Sequence, residues 1–172
     1  GINVTAKGIL EVKECIFTKC SAGSAEGSYG GGIGYSYLKT GESDRGRVED
    51  ISITNCEFNG STGTNGVALL LNVLTINVNI SDVQILNHQN TNYIFCIFFN
   101  CEADDDSFTL TKANFSGNSY DSKSHDGDCG GSGIWIAEAR PQDYLQSLTV
   151  IFNDCTFENN HAQNEAGSFH IR

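Results

Sequence analysis

The stretch Leu10-Glu11-Val12-Lys13-Glu14-Cys15-Ile16-Phe17 decides the fold. Its first, third, sixth and eighth positions are apolar and its fifth is polar. The same pattern returns at 51–58, 78–85, 108–115 and 150–157, with apolar sets Ile51/Ile53/Cys56/Phe58, Val78/Ile80/Val83/Ile85, Phe108/Leu110/Ala113/Phe115 and Val150/Phe152/Cys155/Phe157. The fifth positions are Glu14, Asn55, Asp82, Lys112 and Asp154. A β-strand alternates its side chains with period two. One added polar residue slips that phase, and a sharp bend there returns both apolar sets to a common interior. Two short strands joined by a bend and repeated along the chain predict a coil of strands, a solenoid.

A third strand completes each coil. Its marker is a glycine or other small residue followed by alternating apolar residues, as in Gly30-Gly31-Gly32-Ile33-Gly34-Tyr35, Asn65-Gly66-Val67-Ala68-Leu69, Gly131-Ser132-Gly133-Ile134-Trp135-Ile136 and Gly167-Ser168-Phe169-His170-Ile171. Gly1-Ile2-Asn3-Val4 fits the same slot. In the middle copy the slot is Tyr93-Ile94-Phe95-Cys96-Ile97-Phe98-Phe99, where nearly every residue is apolar and the phase is ambiguous. Successive markers Phe17, Phe58, Ile85, Phe115 and Phe157 lie 41, 27, 30 and 42 residues apart. The excess over the shortest coil is assigned to polar loops at 18–29, 38–47, 118–130 and 138–146, since insertions in solenoids map to coil corners.

These features predict an all-β chain, a right-handed parallel β-helix of about five rungs. At ~4.8 Å per rung it would be on the order of 24 Å long. An antiparallel sandwich is the rival. It needs two-residue Asn-Gly or Asp-Gly turns between strands of matched length, and Asn59-Gly60, Asn65-Gly66 and Asp126-Gly127 do not join such strands. The expected organisation is a single β-helix domain over residues 1–172, a segment of a longer or processed chain, because both ends read as strand.

Composition narrows the function. The 172 residues carry 21 acids against 10 bases, a net charge of −11. That balance argues against a phosphate-binding groove and against attachment to an anionic membrane, so neither nucleic acid nor membrane insertion is expected. The longest apolar run, 67–80, is too short and too interrupted to span a bilayer. Seven cysteines and the sequons at Asn3, Asn59, Asn79 and Asn114 point to a secreted or cell-surface chain bearing N-linked glycans. Cys15, Cys56 and Cys155 occupy the inward sixth position, while Cys20, Cys96, Cys101 and Cys129 do not. Distance allows a Cys15–Cys56 bridge without demanding one, and connectivity is not readable from spacing.

The motif set resembles the Pmp-type β-helix proteins, the polymorphic outer-membrane protein family, and related repeats of large protist surface proteins. Phe115-Ser116-Gly117-Asn118 and Phe157-Glu158-Asn159-Asn160 match that family's Phe-x-x-Asn motif, and Gly31-Gly32-Ile33 and Gly131-Ser132-Gly133-Ile134 approximate its Gly-Gly-Ala-Ile motif. Phe17, Phe58 and Ile85 are followed instead by Cys20, Ser61 and His88, a departure in three copies. The resemblance implies an extracellular adhesive or structural protein, with no ligand specified.

Candidate chemistry is sparse. No catalytic set is expected, and no cofactor. Asp104-Asp105-Asp106 is the best acidic cluster and a weak Ca²⁺ candidate, but consecutive aspartates on an extended loop point in different directions and a charge run is usually solvated surface. His125-Asp126-Gly127-Asp128-Cys129 gathers ligand types without a zinc-like spacing. An outward Trp135, joined by Tyr93, Phe95 and Phe99, would form an apolar contact stripe; a loop folded over it is the competing reading. Two functions therefore stand at this level. One is a glycosylated extracellular structural or adhesive element that self-associates, or continues, at open rung ends in a surface layer, appendage or filament. The other is a carbohydrate-active enzyme, lyase- or hydrolase-like, or a carbohydrate-binding module on the same scaffold.

Overall fold

A computed structural model describes residues 1–4, 9–21, 31–36, 48–63, 68–73, 75–90, 95–99, 107–120, 134–138, 149–162 and 169–171. Within them the chain is all-β, every strand pairing is parallel, and there is no helix. The antiparallel sandwich is thereby excluded. Of the four expected loops, the parts at 22–29, 38–47, 121–130 and 139–146 lie outside the described residues.

The strands are β1 (Ile2–Val4), β2 (Leu10–Lys13), β3 (Ile16–Thr18), β4 (Ile33–Ser36), β5 (Val48–Thr54), β6 (Glu57–Asn59), β7 (Thr62–Gly63), β8 (Leu69–Val73), β9 (Thr75–Ser81) and β10 (Gln84–Leu86). They continue as β11 (Gln89–Asn90), β12 (Phe95–Phe99), β13 (Ser107–Thr111), β14 (Asn114–Ser116), β15 (Ser119–Tyr120), β16 (Ile134–Glu138), β17 (Thr149–Asn153), β18 (Thr156–Glu158), β19 (His161–Ala162) and β20 (Phe169–Ile171). They form four sheets: β2-β5-β9-β13-β17, β3-β6-β10-β14-β18, β7-β11-β15-β19 and β1-β4-β8-β12-β16-β20. The chain visits these sheets in the same order each time, as a parallel β-helix or solenoid would. Each such passage is a rung.

The eight-residue pattern is realised in register. Leu10, Ile51, Val78, Phe108 and Val150 are successive Cα partners. So are Val12, Ile53, Ile80, Leu110 and Phe152, and likewise Phe17, Phe58, Ile85, Phe115 and Phe157. These columns are the core. They are buried through the middle rungs, while Val150, Phe152 and Phe157 in the last rung are only partly covered. Phe17 stacks on Phe58 at 4.8 Å between centroids and Phe115 on Phe157 at 5.0 Å.

The phase slip has a backbone cause. Glu14, Asn55, Asp82, Lys112 and Asp154 all adopt left-handed φ values of 51° to 56°. One such residue turns the chain while its N–H stays in the ladder: Asn55 N–H donates to Ser81 O and Asp82 N–H to Thr111 O, both at 3.0 Å. A second column of bends follows the second strand, at Lys19, Gly60, Asn87, Gly117 and Asn159. Asparagine and glycine tolerate this region, whereas β-branched residues do not. Asn55→Val is expected to lower stability by about 1–2 kcal/mol, and Asn55→Gly to leave it nearly unchanged. Urea midpoints of the two variants check this.

The glycine marker before the third strand also has a physical reason. A Cβ on Gly32 would stand 2.8 Å from the Phe58 ring and would collide with the Ala68 carbonyl oxygen. A small residue is needed there because the backbone lies directly against the next rung's aromatic column. The middle slot is placed by pairing, with Phe95 in register with Leu69 and Ile134, and Ile97 with Leu71 and Ile136. Leu69, Leu71 and Ile134 are core residues.

Candidate functional site

The short sheet β7-β11-β15-β19, absent from the three-strand reading of the sequence, sits next to the most organised polar feature among the described residues. The second bend of each rung is followed by Cys20, Ser61, His88, Asn118 and Asn160 in turn. Ser61, His88 and Asn118 are fully buried. Each is hydrogen-bonded twice to the preceding rung, or once in the case of Ser61. Its side chain accepts the preceding column residue's N–H: Cys20 N–H to Ser61 Oγ at 3.2 Å, Ser61 N–H to His88 Nδ1 at 3.2 Å, His88 N–H to Asn118 Oδ1 at 3.1 Å, and Asn118 N–H to Asn160 Oδ1 at 3.1 Å. Its side-chain donor meets the carbonyl of the preceding marker: His88 Nε2 with Phe58 O at 3.1 Å, Asn118 Nδ2 with Ile85 O and Asn160 Nδ2 with Phe115 O, both at 2.9 Å.

The Phe-x-x-Asn motif is thus an asparagine that closes two backbone groups of the corner. Buried backbone groups must find partners, and here the side chain of the next rung supplies them. His88 and Ser61, which depart from the motif in sequence, occupy the same column; His88 closes both backbone groups and Ser61 the N–H alone. His88 imitates asparagine: Nδ1 accepts, so the proton resides on Nε2, which donates to Phe58 O. Burial holds its pKa down at about 4, against weaker opposing contributions from its hydrogen bonds to Phe58 and Ser61. Both ring nitrogens are engaged, so His88 serves the scaffold.

The expected sites are placed as follows. Asn79 is exposed on the outward face of β9, with Ser81 two residues on. Asn59 is half-buried and its Nδ2 donates to Glu57 Oε1 at 3.1 Å. Asn114 Nδ2 donates to Gln84 Oε1 at 2.9 Å, while its Oδ1 is buried without a hydrogen-bond partner. Asn3 lies in β1, in register with Gly34. Of Asn59, Asn79 and Asn114, the structure presents Asn79 most openly.

Three members of the aromatic set lie in the paired third strands. Trp135 pairs with Cys96, one position on from the Phe95–Ile134 pair, and Phe99 pairs with Glu138. Tyr93 lies outside the described residues, as do Asp104, Asp105, Asp106 and the 125–129 cluster. At the Trp135 parity, Leu70 is 2 % exposed although both its neighbours, Leu69 and Leu71, point into the core. The outward side of this sheet is therefore covered at Leu70.

Among the described residues no three His, Cys, Asp or Glu side chains gather as a metal site. Cys15, Cys20, Cys56 and Cys155 are free thiols. Among the described residues no helix is long and apolar enough to cross a membrane. Comparison of the chain with protein-family models, with curated proteins and with solved structures finds no match.

Proposed function

We propose that this chain is a stretch of right-handed parallel β-helix that serves as an extracellular structural or adhesive rod, N-glycosylated and joined end to end in a surface layer or filament. The observation that carries the reading is continuity: three apolar columns and one polar ladder keep a single register across five successive rungs. Such a stack resists bending because each rung is bonded to its neighbours along every sheet. Right-handedness follows the strong preference of parallel crossovers. The Pmp-type resemblance agrees with this role. The polar ladder supports it too, since Ser61, His88, Asn118 and Asn160 share one geometry where the motif differs in letters.

End-to-end joining would add a further rung, from the same polypeptide or a second copy, to the edges of the parallel sheets. Electron microscopy of the purified chain over a concentration series tests this. The expected particles have constant width and grow in steps of roughly 24 Å; one particle length at every concentration defeats assembly between copies.

Glycosylation is tested separately. Expression through a eukaryotic secretory pathway is expected to yield a glycan on Asn79, removed by Asn79→Gln, in peptide mass spectra. A chain secreted with Asn79 wholly unmodified would count against this site.

A further inference from the structure

We propose that Cys15 and Cys56 are a redox pair that closes into a disulfide, stapling the first rung to the second, when the chain meets a small-molecule disulfide such as oxidised glutathione. The two residues are opposite each other. Lys13 pairs with Thr54 and Ile16 with Glu57, a constant offset that sets Cys15 against Cys56, and Glu57 N–H donates to Cys15 O at 2.9 Å. Neighbouring rungs lie ~4.8 Å apart, inside the Cα separation that disulfides span. Cys56 also reaches toward the first rung, its Sγ lying 3.8 Å from Val12 O. Both thiols are free, Cys15 partly accessible and Cys56 buried.

Accessibility orders the chemistry. The Cys15 thiolate attacks one sulfur of oxidised glutathione and expels the other half as a thiolate, leaving a Cys15–glutathione mixed disulfide. The Cys56 thiolate then attacks Cys15 Sγ and expels the second glutathione. Two protein thiols are oxidised, one glutathione disulfide is reduced to two thiols, and the two protein protons end on the two glutathiones. Burial raises the Cys56 pKa, against a smaller lowering by a hydrogen bond to the Cys15 backbone, so the second step is the slow one and accelerates as pH rises.

Cys155 supplies an internal comparison. It occupies the same sixth position, but its partner in the preceding rung is Ala113: Thr156 N–H donates to Ala113 O, the counterpart of the Glu57–Cys15 bond. It has no thiol opposite it in that rung.

The test treats the whole chain with oxidised glutathione at mildly alkaline pH, alkylates remaining thiols, digests, and reads the peptides by mass spectrometry. The expected product is the Cys15 peptide joined to the Cys56 peptide, with Cys155 stopping at its glutathione adduct. Oxidation should raise the melting temperature by roughly 5–10 °C, because a loop is closed in the unfolded chain. In Cys56→Ser the Cys15 adduct should persist. Should that buried change unfold the chain, Cys15→Ser, at the more exposed partner, should fold and lose both the linked peptide and the temperature shift. If Cys15 in the unsubstituted chain stops at the adduct as Cys155 does, or pairs with another cysteine, the proposal is overturned.

Discussion

Lowering the pH from 7 to 4 is expected to remove about 3 kcal/mol of folding stability through His88 alone. The folded-state pKa is about 4, against 6.5 for the unperturbed ring. A depression of that size corresponds to about 3 kcal/mol at 1.36 kcal/mol per unit. The sign follows from proton counting. Between pH 6.5 and 4 the unfolded chain holds a proton on this ring that the folded chain refuses, so stability rises with pH across that window. The contribution is complete above pH 6.5, declines as the pH falls, and is gone below about 4. Protonation would also break the ladder, because Nδ1 must accept the Ser61 N–H.

The decisive comparison is with His88→Asn. Asparagine fills this column in the next two rungs, as Asn118 and Asn160, and offers the same acceptor and donor without titrating. Chemical denaturation at pH 7 should find the variant close to the parent in stability, and at pH 4.5 clearly more stable. Parallel stability–pH curves for the two proteins would remove His88 as the acid-sensitive element. His88→Leu should be destabilised even at pH 7, since it abandons Ser61 N–H and Phe58 O in the interior, at about 1–3 kcal/mol for each orphaned group.

The other large effect is expected at Phe58. Its ring is buried, stacked on Phe17 with planes 6° apart, and lies against the backbone at Gly32. Phe58→Ala removes buried apolar surface and leaves a cavity that rigid ladders on either side cannot collapse to fill, so a loss of about 3–5 kcal/mol is expected. Phe157→Ala, in the same column but on the partly covered last rung, should cost distinctly less. Urea unfolding of both variants gives the ratio. Equal losses would mean that Phe157 is as enclosed as Phe58, contrary to the column as described.

Much of the architecture was legible because strands obey short-range rules. Alternation at Leu10/Val12, broken at Glu14 and resumed at Cys15/Phe17, can be read from eight letters, and it recurs often enough to align the rungs despite spacings of 27 to 42 residues. The left-handed bends at Asn55, Asp82 and Asp154 were equally readable, since residues that tolerate positive φ occupy the slot where the phase must slip. The two-residue strands β7, β11, β15 and β19 were not, because two residues have no period.

The candidate site was less legible than the fold. Cys20, Ser61, His88, Asn118 and Asn160 share no chemical class by letter. What Ser61, His88, Asn118 and Asn160 share is a place where a backbone N–H from the rung before needs an acceptor. Reading every third residue after the Phe/Ile markers as one column would have exposed them, but only to a reader expecting a hydrogen-bonding role and not a conserved letter. The register of the middle third strand was hidden for a related reason. In Tyr93 to Phe99 nearly every residue is apolar, so composition cannot fix it, and the pairing of Phe95 with Leu69 and Ile134 does.

By itself, then, the amino-acid order determined the repeated short strands, their bends and the members of the apolar columns, because alternation and left-handed turns are local properties of a few adjacent residues. Only the tertiary structure decided that a histidine, a serine and two asparagines form one ladder, that Cys15 faces Cys56, and how the third strands pair in register. Those are properties of residues tens of positions apart. They become neighbours only when backbone pairing sets one rung on the next.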